Sequence, residues 1–291
     1  MDKRKRREYL LRLLAPDKNG DCFLFQYLEG DGNELQKKFW APNSSSRMAF
    51  ELYSGLKEYV KDLKFEFQLP GLCSGGKGPN MDVMIETEHD IIFIESKFTE
   101  KANLHYQDNG YLSKAYYLDG PYGRKGLSLK ERFHNNEWAK EFASFCNKWE
   151  EEMVKNGWHE GCDWFEPKQE TCHLSGILLY LFEKKNAARI KGKSIHLFNV
   201  YWRFDGIDGN PLMPQHFEEK ANETLEKIIG KYGEKLEIVD FEIGTYTVQD
   251  IRETPELLSP DIHSLGKNVE ERMKQFDDLA YGQTRQRFKV K

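Results

Sequence analysis

Hydrophobic positions recur along this chain with two different periods. In residues 43–63, NSSSRMAFELYSGLKEYVKDL, the side chains Met48, Leu52, Leu56 and Val60 return every four residues, which lines one face of a helix. The serines at its start suit a helix N-terminus, where a short hydroxyl accepts from the unpaired amides of the first turn. The period then shortens. KFEFQLP at 64–70 alternates and stops at a proline, which predicts a short strand. Residues 81–86 and 91–98 are two β-rich runs joined by the polar turn Thr87-Glu88-His89-Asp90, which predicts a hairpin. In the second run Ile91 and Phe93 fall on one face and Ile92 and Ile94 on the other, so both faces should be covered, as in a central strand.

Around this hairpin, residues 1–15 read as a short helix ending at Pro16. Residues 17–45 are mixed, with turn signals at DKNGD and EGDGN around the apolar patch CFLFQYL. GLCSGGKGPN at 71–80 is a glycine-rich connector without phosphate-loop spacing. The stretch 103–166 is rich in Tyr, Trp, Asn and Gly, and contains the helical run NEWAKEFASFCNKWEEEMVKN. It is expected to be a mostly helical insertion over the site. KQETCHLSGILLYLFEKK predicts a helix and IHLFNVYWRF a strand. A helix near 216–230, a strand near 235–243 and a last helix near 267–280 follow. Interleaved strands and helices without repeats or a linker predict one elaborated α/β domain over 1–291, with its core at about 43–100 and 167–245.

The 291 residues are 39% hydrophobic and 31% charged, the balance of a soluble globular protein rather than a disordered or fibrous one. No apolar run approaches the roughly 20 residues of a membrane-spanning helix. The basic start lacks a long apolar stretch and a small-residue cleavage site, so secretion is not expected. Five cysteines without a CxxC pair suit a reducing compartment, and a cytoplasmic location is the expectation. The net charge of −5 is unevenly spread: residues 1–14 and 283–291 carry +4 each, which leaves −13 for 15–282. Positive ends offer phosphate contacts; the bland reading is a pair of solvated termini.

The candidate chemistry lies on the hairpin. Asp82 opens its first strand, and Glu95 and Lys97 close its second. Side chains two apart on a strand point the same way, so Glu95 and Lys97 share a face. The antiparallel return then brings Asp82 near them. Charges that follow the apolar run IIFI are costly to bury unless paired or bound to a cation. Two carboxylates are hard oxygen ligands for Mg²⁺ (with Mn²⁺ as a substitute), which keeps several waters and completes its shell from substrate phosphate. The Ser96 backbone carbonyl, between the two side chains, is a further candidate ligand. Lys97 is placed to orient or deprotonate an attacking water and to stabilise developing charge. Alone, the spacing D-x₁₂-E-x-K is common in so charged a chain, and the bland reading is a surface ion pair worth about 0–1 kcal/mol.

With these residues in view, NMDVMIETEHDIIFIESKF resembles the catalytic hairpin of the PD-(D/E)xK, or restriction-endonuclease-like, nucleases. Asp82 matches the first acid and Glu95-Ser96-Lys97 the (D/E)xK element. SSSRMAFELYSGL resembles the serine-rich helix start ahead of that core, and a helix carboxylate often completes the metal site there; Glu51 is the matching candidate, with Glu58 behind it. QETCHLSGILLYLF resembles the helix after the hairpin, with Gln169 and His173 at the positions that support the site or touch substrate. The resemblance covers roughly 43–100 and 167–204. It implies an α-β-β-β-α-β core with a central mixed sheet flanked by helices, divalent-metal dependence, and a DNA or, less often, RNA substrate. Met81 stands where the family name has proline, at a position that varies.

Other signals weigh less. His159-x₂-Cys162 with Cys172-His173 invites a zinc site, yet adjacent residues on a helix point about 100° apart, and core or supporting roles are expected. Tyr106, Tyr111, Tyr116, Tyr117 and Tyr122 offer stacking surfaces for unpaired bases, although aromatics more often pack a core. Arg124 and Lys125 are phosphate-contact candidates, and Gln107-x₃-Tyr111 is a rival to the Gln169 match. The expectation is a deoxyribonuclease, an endonuclease of restriction, mobile-element or repair type. The alternative is a non-catalytic nucleic-acid-binding or scaffold protein that keeps the fold. A homodimer would suit cleavage of both strands.

Overall fold

The computed structural model describes residues 3–16, 20–29, 35, 38–41, 44–70, 78–98, 167–203, 215–265 and 274. The expected insertion at 103–166, with its tyrosines, Arg124, Lys125, His159 and Cys162, lies outside these residues. So do the basic tail, most of the glycine-rich connector and, apart from Lys274, the expected last helix.

Five strands form one mixed sheet in the order β1-β2-β3-β4-β5. The chain runs through helices α1 (Lys3–Leu14), α2 (Phe23–Glu29) and α3 (Ser45–Tyr53), then strands β1 (Asp62–Gln68), β2 (Asn80–Glu86) and β3 (Asp90–Lys97). It continues through α4 (Pro167–Phe182), the short α5 (Ala187–Ile190), strand β4 (Ser194–Tyr201), α6 (Gln215–Leu236), strand β5 (Phe241–Thr247) and α7 (Val248–Glu253). The first three strands are antiparallel neighbours, whereas β4 and β5 run parallel to β3. The fold is α/β, a mixed sheet flanked by helices on both faces.

The strand alternation builds two cores. Ile91, Phe93, Ile195, Leu197, Phe241 and Ile243 pack against Leu174, Ile177 and Leu178 of α4 and Phe217, Leu225 and Ile228 of α6. Ile92, Ile94, Phe198 and Val200 face the other way, onto Leu13 of α1, Phe23 and Tyr27 of α2, Phe50 and Tyr53 of α3, and Val248 and Ile251 of α7. β3 is therefore covered on both sides, as its unbroken apolar run requires.

Three boundaries depart from the sequence pattern. The helix at the serines runs only to Tyr53 and tightens to a 3₁₀ turn over Ser54–Glu58, where Gly55 withdraws helix propensity. The patch CFLFQYL forms α2, because Phe23 and Tyr27, one turn apart, bury against Phe50 and Phe65. The helix expected to end near 230 continues to Leu236, and Glu237 ends it at φ 56°. β5 therefore starts at Phe241 rather than near 235.

One irregularity shapes the site. Phe65 and Val83 are partners and pack on the α1–α3 side, yet the next partners, Phe67 and Met81, face the α4 side. Residues two apart on a regular strand share a face. Between the two phenylalanines Glu66 stands at φ 50°, a left-handed conformation that costs a non-glycine residue about 1–2 kcal/mol. The kink turns the end of the β1–β2 ribbon out of the sheet plane. Accordingly the β2–β3 register runs from Glu86↔Ile91 only as far as Val83↔Ile94.

Candidate active site

The gap opened by that kink holds the predicted cluster. One further step of the β2–β3 register sets Asp82 opposite Glu95, but there the ladder has ended. Instead the Asp82 carboxylate Oδ2 accepts the Ser96 amide at 2.7 Å. A continued ladder would have used a β2 carbonyl for that bond. The N–H and C=O of one strand residue point to the same edge, so the Ser96 carbonyl faces the same gap.

On the α4 side, three hydrogen bonds close a triangle. Lys97 Nζ donates to Glu95 Oε1 at 2.7 Å and to Gln169 Oε1 at 2.8 Å, and Gln169 Nε2 donates to Glu95 Oε1 at 2.7 Å. Two residues spaced by strand periodicity are thus bridged by a side chain seventy positions on. His173, one turn after Gln169 and buried, brings Nε2 to 3.8 Å from Glu95 Oε2. On its other side Nδ1 lies 4.0 Å from Glu170 Oε2, and Glu170 Oε1 accepts from Asn199 Nδ2 at 2.9 Å.

Glu95, Asn199 and Thr245 lie side by side across β3, β4 and β5, one row beyond the apolar Phe93, Leu197 and Ile243. The carboxyl ends of the three parallel strands thus change from apolar to polar, at the place where open α/β sheets hold ligands. Several buried polar atoms here lack a hydrogen-bond partner among the described residues: Tyr53 Oη, Asn80 Oδ1, Ser96 Oγ, His173 Nδ1 and Thr245 Oγ1. Native proteins rarely leave such atoms unsatisfied.

The electrostatics divide the two acids. Burial, then the charges of Glu95 and Glu66, push Asp82 well above the usual carboxylate range, against the Ser96 amide and Lys97. Burial also opposes ionisation of Glu95, but Lys97, His173 and the hydrogen bonds from Lys97 and Gln169 outweigh it and hold its carboxyl below the usual value. The environment therefore favours ionisation of Glu95 and opposes that of Asp82. Burial, ahead of every other cause, raises Glu170 to about 8, depresses the His173 imidazole and lifts the Tyr53 hydroxyl, to which Asp82 adds.

The structure thus brings together Asp82, Glu95, Ser96, Lys97, Gln169 and His173. It does not bring Glu51 to them. Tyr53, whose hydroxyl feels the Asp82 charge, lies two residues after Glu51, about 200° around the α3 axis. Glu51 faces α1, where its Oε1 accepts from Arg12 Nη1 at 2.9 Å and where Tyr9 hydrogen-bonds it. Glu58, at the end of the 3₁₀ turn, is 58% exposed and lies beside Lys57. Cys172 packs against the core while its neighbour His173 turns to Glu95, as their angular separation demands. The residues that sequence reasoning missed are Glu66, Glu170 and Asn199. The only signal for Asn199 was an amide inside the apolar run IHLFNVYW.

Among the described residues no three His, Cys, Asp or Glu side chains are grouped so as to hold a metal ion. Two carboxylates and a backbone carbonyl at the edge of a gap fit Mg²⁺, which takes one or two protein carboxylates and fills its shell with water and phosphate. Also among the described residues, no helix is long and apolar enough to cross a membrane. The chain matches no protein-family model, no curated protein and no solved structure.

Proposed function

We propose that this chain is a magnesium-dependent nuclease acting on DNA, with a restriction-endonuclease-like core and Asp82, Glu95 and Lys97 at its catalytic centre. The observation that carries the reading is the meeting of these three groups at a gap in the sheet, with Lys97 held between Glu95 and Gln169. The element order supports it: one helix, three antiparallel strands, a helix and a parallel strand.

Asp82, Glu95 and the Ser96 carbonyl would hold the ion. When bound, it polarises a phosphoryl oxygen and acidifies a water. A bound cation would favour the ionised form of Asp82. Lys97 keeps its ammonium beside the reacting phosphate, where it hydrogen-bonds the attacking water and offsets negative charge as that water adds. Gln169 fixes both ends of the Glu95–Lys97 pair, so neither side chain must be ordered when substrate binds. His173 packs behind Glu95 and excludes bulk water from it. Glu51 has no part in this set, because Arg12 and Tyr9 occupy its carboxylate.

The test is direct. Supercoiled plasmid, single-stranded DNA and RNA are incubated with the protein in Mg²⁺ or Mn²⁺, beside an EDTA control and Lys97→Ala. Metal-dependent cleavage of DNA that Lys97→Ala abolishes is the expected result. Cleavage that survives Lys97→Ala overturns this catalytic centre, whereas tight nucleic-acid binding without cleavage in either metal sinks the enzymatic reading and installs the scaffold reading.

A further inference from the structure

Lys3, Arg4, Lys5, Arg6 and Arg7 are five consecutive cations at the start of α1, all exposed, and the first turn holds no acid. This is the wrong end of a helix for them. The peptide dipoles put partial positive charge at the N-terminus, so cations there are destabilising. Removing these five charges from the net −5 leaves −10 on the rest of the chain. An acidic body repels a polyanion, so attraction has to come from a local patch.

The patch is firmly mounted and aimed. Leu13 is buried, and Arg12 donates to Glu51 and to Ser54 Oγ at 3.1 Å. Tyr9 packs edge-on against Phe39 and Trp40, and Arg6 lies over the Trp40 ring at 4.7 Å. These contacts also fix direction. Tyr9 meets Arg47, Phe50 and Glu51, Arg12 meets Phe50, Glu51 and Ser54, and Lys57 donates to the Pro16 carbonyl, so α1 and the α3 segment advance in the same direction. The C-terminal end of α3 leads to Lys61, whose amide bonds the Glu86 carbonyl at the turn end of β2. Both N-termini therefore project past the opposite end of the sheet, where Asp82, Glu95 and Lys97 lie.

We infer that the N-terminal half of α1 is a phosphate-backbone clamp that holds duplex DNA across the carboxyl end of the sheet. The inference rests on the nuclease reading for its partner, and adds the surface that captures it. Cations on a rigid helix contact phosphates without reading bases, so the clamp is sequence-independent and salt-sensitive.

The experiment compares the protein with the variant Lys3→Ala/Arg7→Ala, which leaves the Arg4–Glu8 ion pair and the Arg6–Trp40 contact intact. Binding of a labelled mixed-sequence 30-bp duplex is measured from low to moderate salt in Ca²⁺ or EDTA, with melting temperature and cleavage rate at saturating DNA alongside. The clamp predicts at least about fivefold weaker binding and a log K against log[salt] slope shallower by up to about 2, roughly 0.9 per lost phosphate contact. Melting temperature stays the same or rises, and saturated cleavage is unchanged. Equal affinity and slope in a protein that cleaves DNA overturns the clamp and spares the nuclease reading. Loss of binding in the variant of a protein that never cleaves keeps the clamp and sinks the enzyme. A wild type that binds no nucleic acid removes both. A lowered melting temperature, or retention by phosphatidylserine vesicles in place of DNA, replaces the clamp with a structural or membrane role.

Discussion

The Asp82 carboxylate receives the Ser96 amide in place of a β2 carbonyl, at 2.7 Å. One side chain thereby ends a strand ladder, satisfies the amide the break exposes, and stands opposite Glu95. The arrangement is electrostatically tense, because burial and Glu95 both oppose ionisation of Asp82. That tension is useful to a cation site, since a bound divalent ion relieves it.

Asp82→Asn keeps an oxygen for the Ser96 amide and deletes the charge. The substitution is expected to leave the melting temperature equal or higher, while Mn²⁺ affinity by calorimetry and DNA cleavage each fall by about 100-fold or more. A marked drop in stability with metal affinity retained would show that Asp82 is only a structural cap.

Lys97 and Glu95 form a mostly buried pair, 16% and 7% exposed at their side chains. Removing one partner of such a pair leaves an uncompensated charge, at about 3–5 kcal/mol, whereas replacing both is far milder. Urea denaturation of Lys97→Met should show a loss near the lower figure, because Gln169 still donates to Glu95. Lys97→Met combined with Glu95→Gln should recover at least about 1 kcal/mol of it. Strictly additive losses would mean that the two charges do not interact.

Glu170 is buried and raised to about 8, by burial first, against the hydrogen bond from Asn199. A folded value above the unfolded one near 4.5 means that stability is intact at low pH and is lost as pH climbs toward 8. Glu170→Gln is neutral at every pH. Without metal, it should match wild type near pH 4 and exceed it at pH 7.5 by up to about 4 kcal/mol. The new amide also offers a donor to His173 Nδ1. Parallel stability curves across that window would refute the raised value.

At the opposite end of the sheet, His196 Nε2 lies 2.9 Å from Asp90 Oδ1 and Nδ1 lies 3.0 Å from Glu242 Oε1. Ser259 donates to Asp90 and His89 meets Asp261, so this cluster ties the C-terminal segment to the sheet. Burial alone would lower His196, but the two carboxylates outweigh it and raise it to about 9. Its contribution is therefore complete below about pH 6.5 and disappears as pH rises through 9. His196→Gln should destabilise by up to about 3 kcal/mol at pH 6 and much less at pH 9.5. A penalty that grows with pH would contradict the charged assignment.

Much of this arrangement was legible in order of residues. Strand periodicity put Glu95 and Lys97 on one face, the polar turn at Thr87–Asp90 paired their strand with the one that Asp82 opens, and helical spacing placed Gln169 and His173 one turn apart. These are consequences of backbone geometry over a few residues, so the chain alone determines them. The partner of Glu51 was decided elsewhere. α3 is buried on every side, and only the docking of α1 chose Arg12 and Tyr9 as its neighbours. Nothing local to Glu66 announced a site and Asn199 showed only as an amide in an apolar run, because the kink of the β1–β2 ribbon and the parallel pairing of β4 beside β3 are settled by packing between segments about a hundred residues apart. Period and propensity act within an element, whereas the choice of which buried charge meets which depends on the tertiary contacts that remove both from water.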